Sequence, residues 1–178
     1  MTLTTADAPG AQPVQVWHLH MLSPSWLRPA AARAANWHLQ VVTVDAAATS
    51  ERMYRQVGQD WFWVDRLHWQ ADQWQAWVHR PGHLLALAMV GDVTAGYLEL
   101  DRHGPYLEIA YFGLLAEWIG QGIGGWLLTE GLRTAWQSSG VQCVWVHTCS
   151  LDGPGALQNY QARGMRVFGT QVEWRVMG

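Results

Sequence analysis

The stretch IGQGIGGWLLTEGLRTAW, residues 119–136, places four glycines within six positions and then begins an amphipathic helical pattern at once. Bare backbone directly before a helix has two uses. It can form a tight strand-to-helix turn, because glycine reaches positive φ at no steric cost. It can also form an anion cradle. The first N–H groups of a helix lack intrahelical partners, the macrodipole makes that end positive, and glycine lets a phosphate come close. Gly120, Gln121, Gly122, Ile123, Gly124 and Gly125 would then present several donors to a pyrophosphate. Two phosphate motifs do not fit. The dinucleotide fingerprint spaces its glycines differently and expects an acidic residue about 20 positions on, at the end of the next strand. Here that strand ends in His147-Thr148. The P-loop needs Gly-Lys-Ser/Thr, and this chain has no lysine.

Working outward, His83 to Val90 and Val93 to Asp101 flank the turn signal Gly91-Asp92, and His103-Gly104-Pro105 leads into Tyr106 to Leu114. These segments predict a three-strand meander. Further upstream, Val14 to Leu22 and Trp37 to Val44 read as strands. SERMYRQVG reads as a helix capped by Thr49 or Ser50 and stopping near Gly58. QADQWQAWVHR reads as a second helix, closed by Pro81-Gly82. Downstream, the helix after the glycines runs to about Ser139. Val141 to Thr148 is a strand, GALQNYQARG a short helix ending at Gly164, and Met165 to Met177 a final strand. This order predicts α+β architecture around a mixed sheet. The β–helix–β unit at the glycine loop should cross over right-handedly.

The chain of 178 residues suits one domain, residues 13–178, behind a flexible tail, residues 1–12. It is 49% hydrophobic and only 14% charged, a globular composition. No apolar run is long enough to span a bilayer, and MTLTTADAPGAQP lacks the basic and apolar regions of a secretion signal. No membrane partner and a cytoplasmic location are expected. Cys143 and Cys149 fall on one strand, poorly placed for a disulfide, which fits a reducing compartment. The formal charge is −3 with no basic stripe, so nucleic acid has no electrostatic support as a partner; the mild acidity would suit a cationic substrate, although so small a charge discriminates little. Of the 13 tryptophans, several cluster in DWFWVDRLHWQADQWQAW, residues 60–77. They form either aromatic core or the wall of a binding cleft.

In this context the glycine loop says more. EIAYFGLLAEWIGQGIGGWLL, residues 108–128, resembles the central motif of the GNAT superfamily of N-acetyltransferases: a strand, a short loop, then Arg/Gln-x-x-Gly-x-Gly/Ala opening a helix. LDGPGALQNYQARGMRVFG, residues 151–169, resembles the last segment of the same superfamily, a short helix carrying a tyrosine and a Gly-aliphatic step into the final strands. The resemblance implies a mixed, mostly antiparallel central sheet flanked by helices, with acetyl-CoA as cosubstrate. It implies that Phe112, Gly113 and Leu114 pair through their backbone with the pantetheine arm, and that residues 120–125 hold the pyrophosphate. It implies Tyr160 as the acid that protonates the departing thiolate and Glu108 as the general base. Two positions depart from the pattern. Ile119 stands where the superfamily has Arg or Gln, so binding must lean on backbone donors, and Gly153 stands where many members carry a coenzyme-contacting Asn.

Acetyl transfer from a thioester to an amine requires a base for the amine, stabilisation of the oxyanion, and an acid for the thiolate. The N–H of Leu114 can polarise the carbonyl. His147 rivals Glu108 as base, since an imidazole titrates near the working range. Metal is not expected. His18 with His20, and His147 with Cys149, are isolated pairs without a second pair at ligand spacing. No Gly-x-Ser-x-Gly elbow supports a serine nucleophile, and Asp152 shapes a turn. The acceptor amine, on a small molecule or a protein, should enter beside residues 58–69. There Asp60 and Asp65 can pair with a cation, and Trp61, Trp63 or Trp69 can stack on it. The rival to a working transferase is a catalytically idle acyl-CoA-binding sensor module. The exposed edge of the C-terminal strand leaves room for a homodimer.

Overall fold

A computed structural model describes residues 9–31 and 34–176. Along the chain run β1 (Ala11–Met21), β2 (Trp37–Val41), α1 (Ala46–Gly58), α2 (Ala71–Val78), β3 (Leu84–Val90), β4 (Val93–His103), β5 (Tyr106–Leu114), α3 (Ile123–Gln137), β6 (Cys143–Cys149), α4 (Ala156–Ala162) and β7 (Arg166–Val176). The strands form one sheet in the order β2-β3-β4-β5-β6-β1-β7. Every neighbouring pair is antiparallel except β5 with β6. The expected mixed, mostly antiparallel sheet flanked by helices is therefore the fold of this chain.

Each face of the sheet carries its own helices. On one side Leu98, Leu100, Leu107, Ile109, Val144 and Val146 pack against Ile123, Leu127, Leu128 and Leu132 of α3. Full burial of each such leucine removes enough apolar surface to contribute about 1.5–3 kcal/mol. On the other side Leu85, Leu87, Met89 and Tyr97 pack against Met53 and Val57 of α1, and Tyr54 meets Trp74 of α2. Most of the tryptophan-rich stretch therefore packs as aromatic core on the α1–α2 face.

Two boundaries move, each for a local reason. Helix α1 begins at Ala46 behind Asp45, one turn before Thr49 or Ser50. Ala46, Ala47 and Ala48 are the strongest helix formers and extend the helix upstream. Thr49 and Ser50 become buried helix residues, and the Ser50 hydroxyl donates to Glu99 Oε1 at 2.6 Å. Strand β1 starts at Ala11, which pairs with Val176, so residues 11–12 belong to the sheet. Residues 1–8 of the expected tail lie outside the described residues. Strand β7 forms one edge of the sheet and exposes Val167, Phe168, Val172 and Val176.

A bulge in β5 explains why its alternation is hard to read. Glu99 pairs with Tyr111 and Leu100 with Ile109, which leaves Ala110 as the extra residue. One inserted residue flips the side chains that follow it. Leu107 and Ile109 face α3 before the bulge, and Phe112 and Leu114 face it afterwards. Tyr111 is thereby returned to the α1 side, against Tyr54 and Trp63.

Candidate active site

The parallel pairing of β5 with β6 covers only Tyr106–Cys143, Leu107–Val144 and Glu108–Trp145. Beyond those residues the two strands part. From Ile109 onward the β6-facing edge of β5 has no strand partner, and its N–H and C=O groups are available to an extended ligand. The wedge between them opens into a cavity of about 750 Å³, a size usual for a ligand pocket.

The glycine-loop end of this cavity is made of backbone. Phe112, Gly113 and Leu114 line it from β5, and Gly120, Gly122, Gly124 and Gly125 line it from the loop and first turn of α3. Gly120 and Gly122 hold φ of +83° and +87°, the left-handed region that glycine enters without penalty. Gly122 is the N-cap of α3 and supplies no side-chain cap, so the first-turn N–H groups stay open toward the cavity. Any Cβ on Gly113 would run into Val57 Cγ1. Gln121 and Ile123, expected as backbone donors, keep their side chains out of the cavity. Ile123 is 1% exposed and its side chain belongs to the core. Gln121 turns its amide away, donating to the Glu117 carbonyl at 2.7 Å. Only their backbone can serve a ligand. The loop is tied to α4 by Asn159, whose Nδ2 donates to the Gly124 carbonyl at 3.2 Å.

Glu108 and Tyr160 line the same cavity. Tyr160 is 5% exposed, and its ring packs 5.9 Å from that of Phe112. Burial, reinforced by the charge of Asp152, pushes the phenol far above its ordinary pKa, so it stays protonated at any working pH. Glu108 sits at the last paired position before the strands part, and its Oε1 lies 3.6 Å from Nδ1 of the half-exposed His147. The Glu108 carboxylate raises the pKa of His147 against the opposing effect of burial, helped by Asp152 and Glu173. The two residues expected as rival bases thus lie side by side. Asp101, His103 and Glu108 bring ligand atoms within 4.8 Å of one another. The Asp101 carboxylate, however, already binds Arg80 and His103 at 2.7 Å each, and the arginine opposes a metal ion there.

The other end is built from side chains. Trp61, Trp63 and Asp65 line it, whereas Asp60 and Trp69 do not. Asp152 caps the exit of β6, accepting from the Thr148 hydroxyl at 2.6 Å and from the Cys149 N–H at 2.9 Å. The turn role read from the sequence is therefore present, but the same carboxylate also faces the cavity and lies 3.5 Å from Trp63 Nε1. Trp61 lies against Gly153, its ring 3.4 Å from where a Cβ there would sit. The residues sequence reasoning missed are Asn159, Glu173 and Arg175. The signal for Asn159 was its place beside Tyr160 on a short amphipathic helix. Nothing local marks Glu173 and Arg175, which reach the cavity only because β7 pairs with β1. Cys143 and Cys149 are free. Burial raises both thiol pKa values, so the cavity holds no ready thiolate at Cys149.

The sequence matches the family model described as acetyltransferase (GNAT) family over residues 49–165. No curated protein matches it. Among solved structures, a GCN5-related N-acetyltransferase from Sphaerobacter thermophilus superposes with a TM-score of 0.68 at 20% identity, over 93% of this chain and 52% of that one. A second, from Kribbella flavida, gives 0.66 at 19% identity over 95% and 61%. This chain thus spans about half to three-fifths of their length. An aminoglycoside acetyltransferase from an uncultured soil metagenomic sample gives 0.58 at 16% identity over 72% and 87%. At these identities the likeness is one of fold.

Proposed function

From the premise that this chain belongs to the acetyltransferase (GNAT) family, we propose that it transfers an acetyl group from acetyl-CoA to a primary amine by direct attack. The observation that carries this reading is a single cavity joining the open amides of the glycine loop to Glu108 and Tyr160. The unpaired edge of β5 from Ile109 to Leu114 supports an extended pantetheine arm, and the first turn of α3 supports the diphosphate. An alkylamine is almost wholly protonated near neutral pH. Glu108 removes one proton, directly or through a water, and the amine attacks the thioester carbonyl. The Leu114 N–H steadies the oxyanion. As the C–S bond breaks, Tyr160 gives its proton to the thiolate, so the products are the amide and free coenzyme. The raised Cys149 pKa supports direct transfer over an acyl-cysteine intermediate.

The amine end favours a cation, because Asp65, Glu108, Asp152 and Glu173 face the cavity against Arg175 and His147. The aminoglycoside enzyme of the same fold acts on a polycationic amine class, which accords with that sign. Among the described residues no helix is long and apolar enough to cross a membrane. The test is a panel of primary amines, including spermidine, tryptamine and an unblocked peptide, incubated with acetyl-CoA while free thiol is read. Thiol release that depends on both amine and Glu108 is expected. Thermal stabilisation by acetyl-CoA with no release against any amine marks the idle sensor instead.

A further inference from the structure

The aromatic cluster beside the cavity already holds a cation, and that cation is part of the chain. The guanidinium carbon of Arg66 lies 3.4 Å from the ring centre of Trp77, 4.3 Å from Trp69 and 4.4 Å from Tyr111. Arg66 is 9% exposed, and its Nη1 has no hydrogen-bond partner among the described residues. A fully buried carboxylate, Glu99, lies on the same face. It accepts from Ser50, from Trp77 Nε1 and from His83 Nε2 at 2.9 Å, and these bonds fix the ring of Trp77. Burying a guanidinium costs far more than burying a methionine or leucine of similar volume. Three ring faces return part of that cost and hold the guanidinium in one place.

Arg66 belongs to residues 59–70, the irregular segment between α1 and α2. This segment straddles the cavity. On the far side Trp61 rests on Gly153 and Trp63 reaches Asp152. On the near side three fastenings converge on two residues. The Arg66 guanidinium enters the cage, the Arg66 N–H donates to Tyr54 Oη at 3.1 Å, and the Leu67 carbonyl accepts from Arg55 at 3.1 Å. Within the far anchorage, between Trp61 and Trp63, Phe62 lines the cavity with φ of +56°. For a bulky aromatic residue this is strained backbone, which persists only where the surroundings over-determine it.

We propose that Arg66 is a positioning residue: its caged guanidinium latches residues 59–70 across the cavity, so that Trp61, Phe62, Trp63 and Asp65 form a fixed wall for the acceptor amine. The consequence for the acceptor rests on the acetyl-transfer reading; the latch itself does not. Tyr111 and Tyr54 transmit the hold, since both touch the segment and line the cavity.

Hydrogen exchange of the intact protein tests the latch without any substrate. In Arg66→Met, which fills the cage without charge, amides of residues 59–70 should exchange about tenfold faster while those of α3 and β5 keep their protection. Arg66→Lys should recover part of that protection. Millimolar ethylguanidinium should restore it in Arg66→Ala and change nothing in the parent. With the best amine of the panel, Arg66→Met should raise the amine KM about tenfold and leave acetyl-CoA affinity unchanged. Unchanged exchange in Arg66→Met would overturn the proposal. So would faster exchange throughout the molecule, which marks mere core packing, or no recovery with lysine or ethylguanidinium. If no amine is acetylated, the functional reading falls while exchange still decides the latch.

Discussion

The two ends of the cavity are made of different materials. The end proposed for the coenzyme is backbone: glycines with positive φ, the open first turn of α3, and the unpaired edge of β5. The end proposed for the acceptor is side chain: aromatic rings, carboxylates and an imidazole drawn from four separate parts of the chain. A backbone site recognises what every member of a family shares, because amides present the same donors whatever the sequence. A side-chain site recognises what distinguishes one amine from another. Damage at the first end should therefore weaken coenzyme binding, and damage at the second should change turnover or amine affinity.

The largest effect is expected from the acceptor end. Glu108→Gln should lower kcat by about 10²- to 10⁴-fold, the range of general base catalysis, with acetyl-CoA affinity by calorimetry unchanged. The same substitution should move the titration of His147, followed by NMR. In the parent the midpoint lies above the ordinary 6.5, and losing Glu108 should lower it, because burial then opposes the charge with less compensation. The sign for stability follows. A raised folded pKa contributes stability that is present below the unfolded value and is lost as pH rises through the folded one. Glu108→Gln should flatten that loss.

Tyr160→Phe should reduce kcat by about 10²-fold with little change in coenzyme affinity, since the ring and its packing on Phe112 remain. Unchanged turnover would remove Tyr160 from the reaction. At the other end, Gly122→Ala places a Cβ in a left-handed conformation that costs roughly 1–2 kcal/mol. Relief of that strain tilts the loop, so acetyl-CoA affinity should fall about tenfold with kcat at saturation nearly preserved. A fall in kcat alone would blur the division between the ends. The smallest effect belongs to Asp65→Asn. Asp65 is exposed, and an exposed ion pair contributes about 0.2–1 kcal/mol. The amine KM should rise roughly two- to fivefold, with no change for the coenzyme; an unaltered KM would leave Asp65 outside the acceptor site.

The same division decides how much was legible in the sequence. The glycine spacing, the helix that follows and the tyrosine of α4 are local signals, and they placed the meander, the loop and seven of nine coenzyme positions on the cavity wall. Gln121 and Ile123 were expected only as backbone donors, and spacing alone did not say that their side chains turn to the Glu117 carbonyl and to the core. The acceptor end depended on contacts far apart in sequence. Trp69, one of three tryptophans that could stack on a substrate cation, instead joins Trp77 and the distant Tyr111 around Arg66. Glu173 and Arg175 reach the site through the pairing of β7 with β1. The bulge at Ala110 hid the facing of Glu108 and Tyr111, because an apolar strand with one extra residue shows no period of two.

The claim on which the rest depends is that main-chain amides at the start of α3 hold the diphosphate of a coenzyme A thioester. A crystal structure of the protein with acetyl-CoA tests it most directly. Diphosphate oxygens about 3 Å from the N–H groups of residues 122–125, with the pantetheine arm along β5, are the predicted result. A diphosphate bound elsewhere, with that helix start facing only solvent, would contradict it.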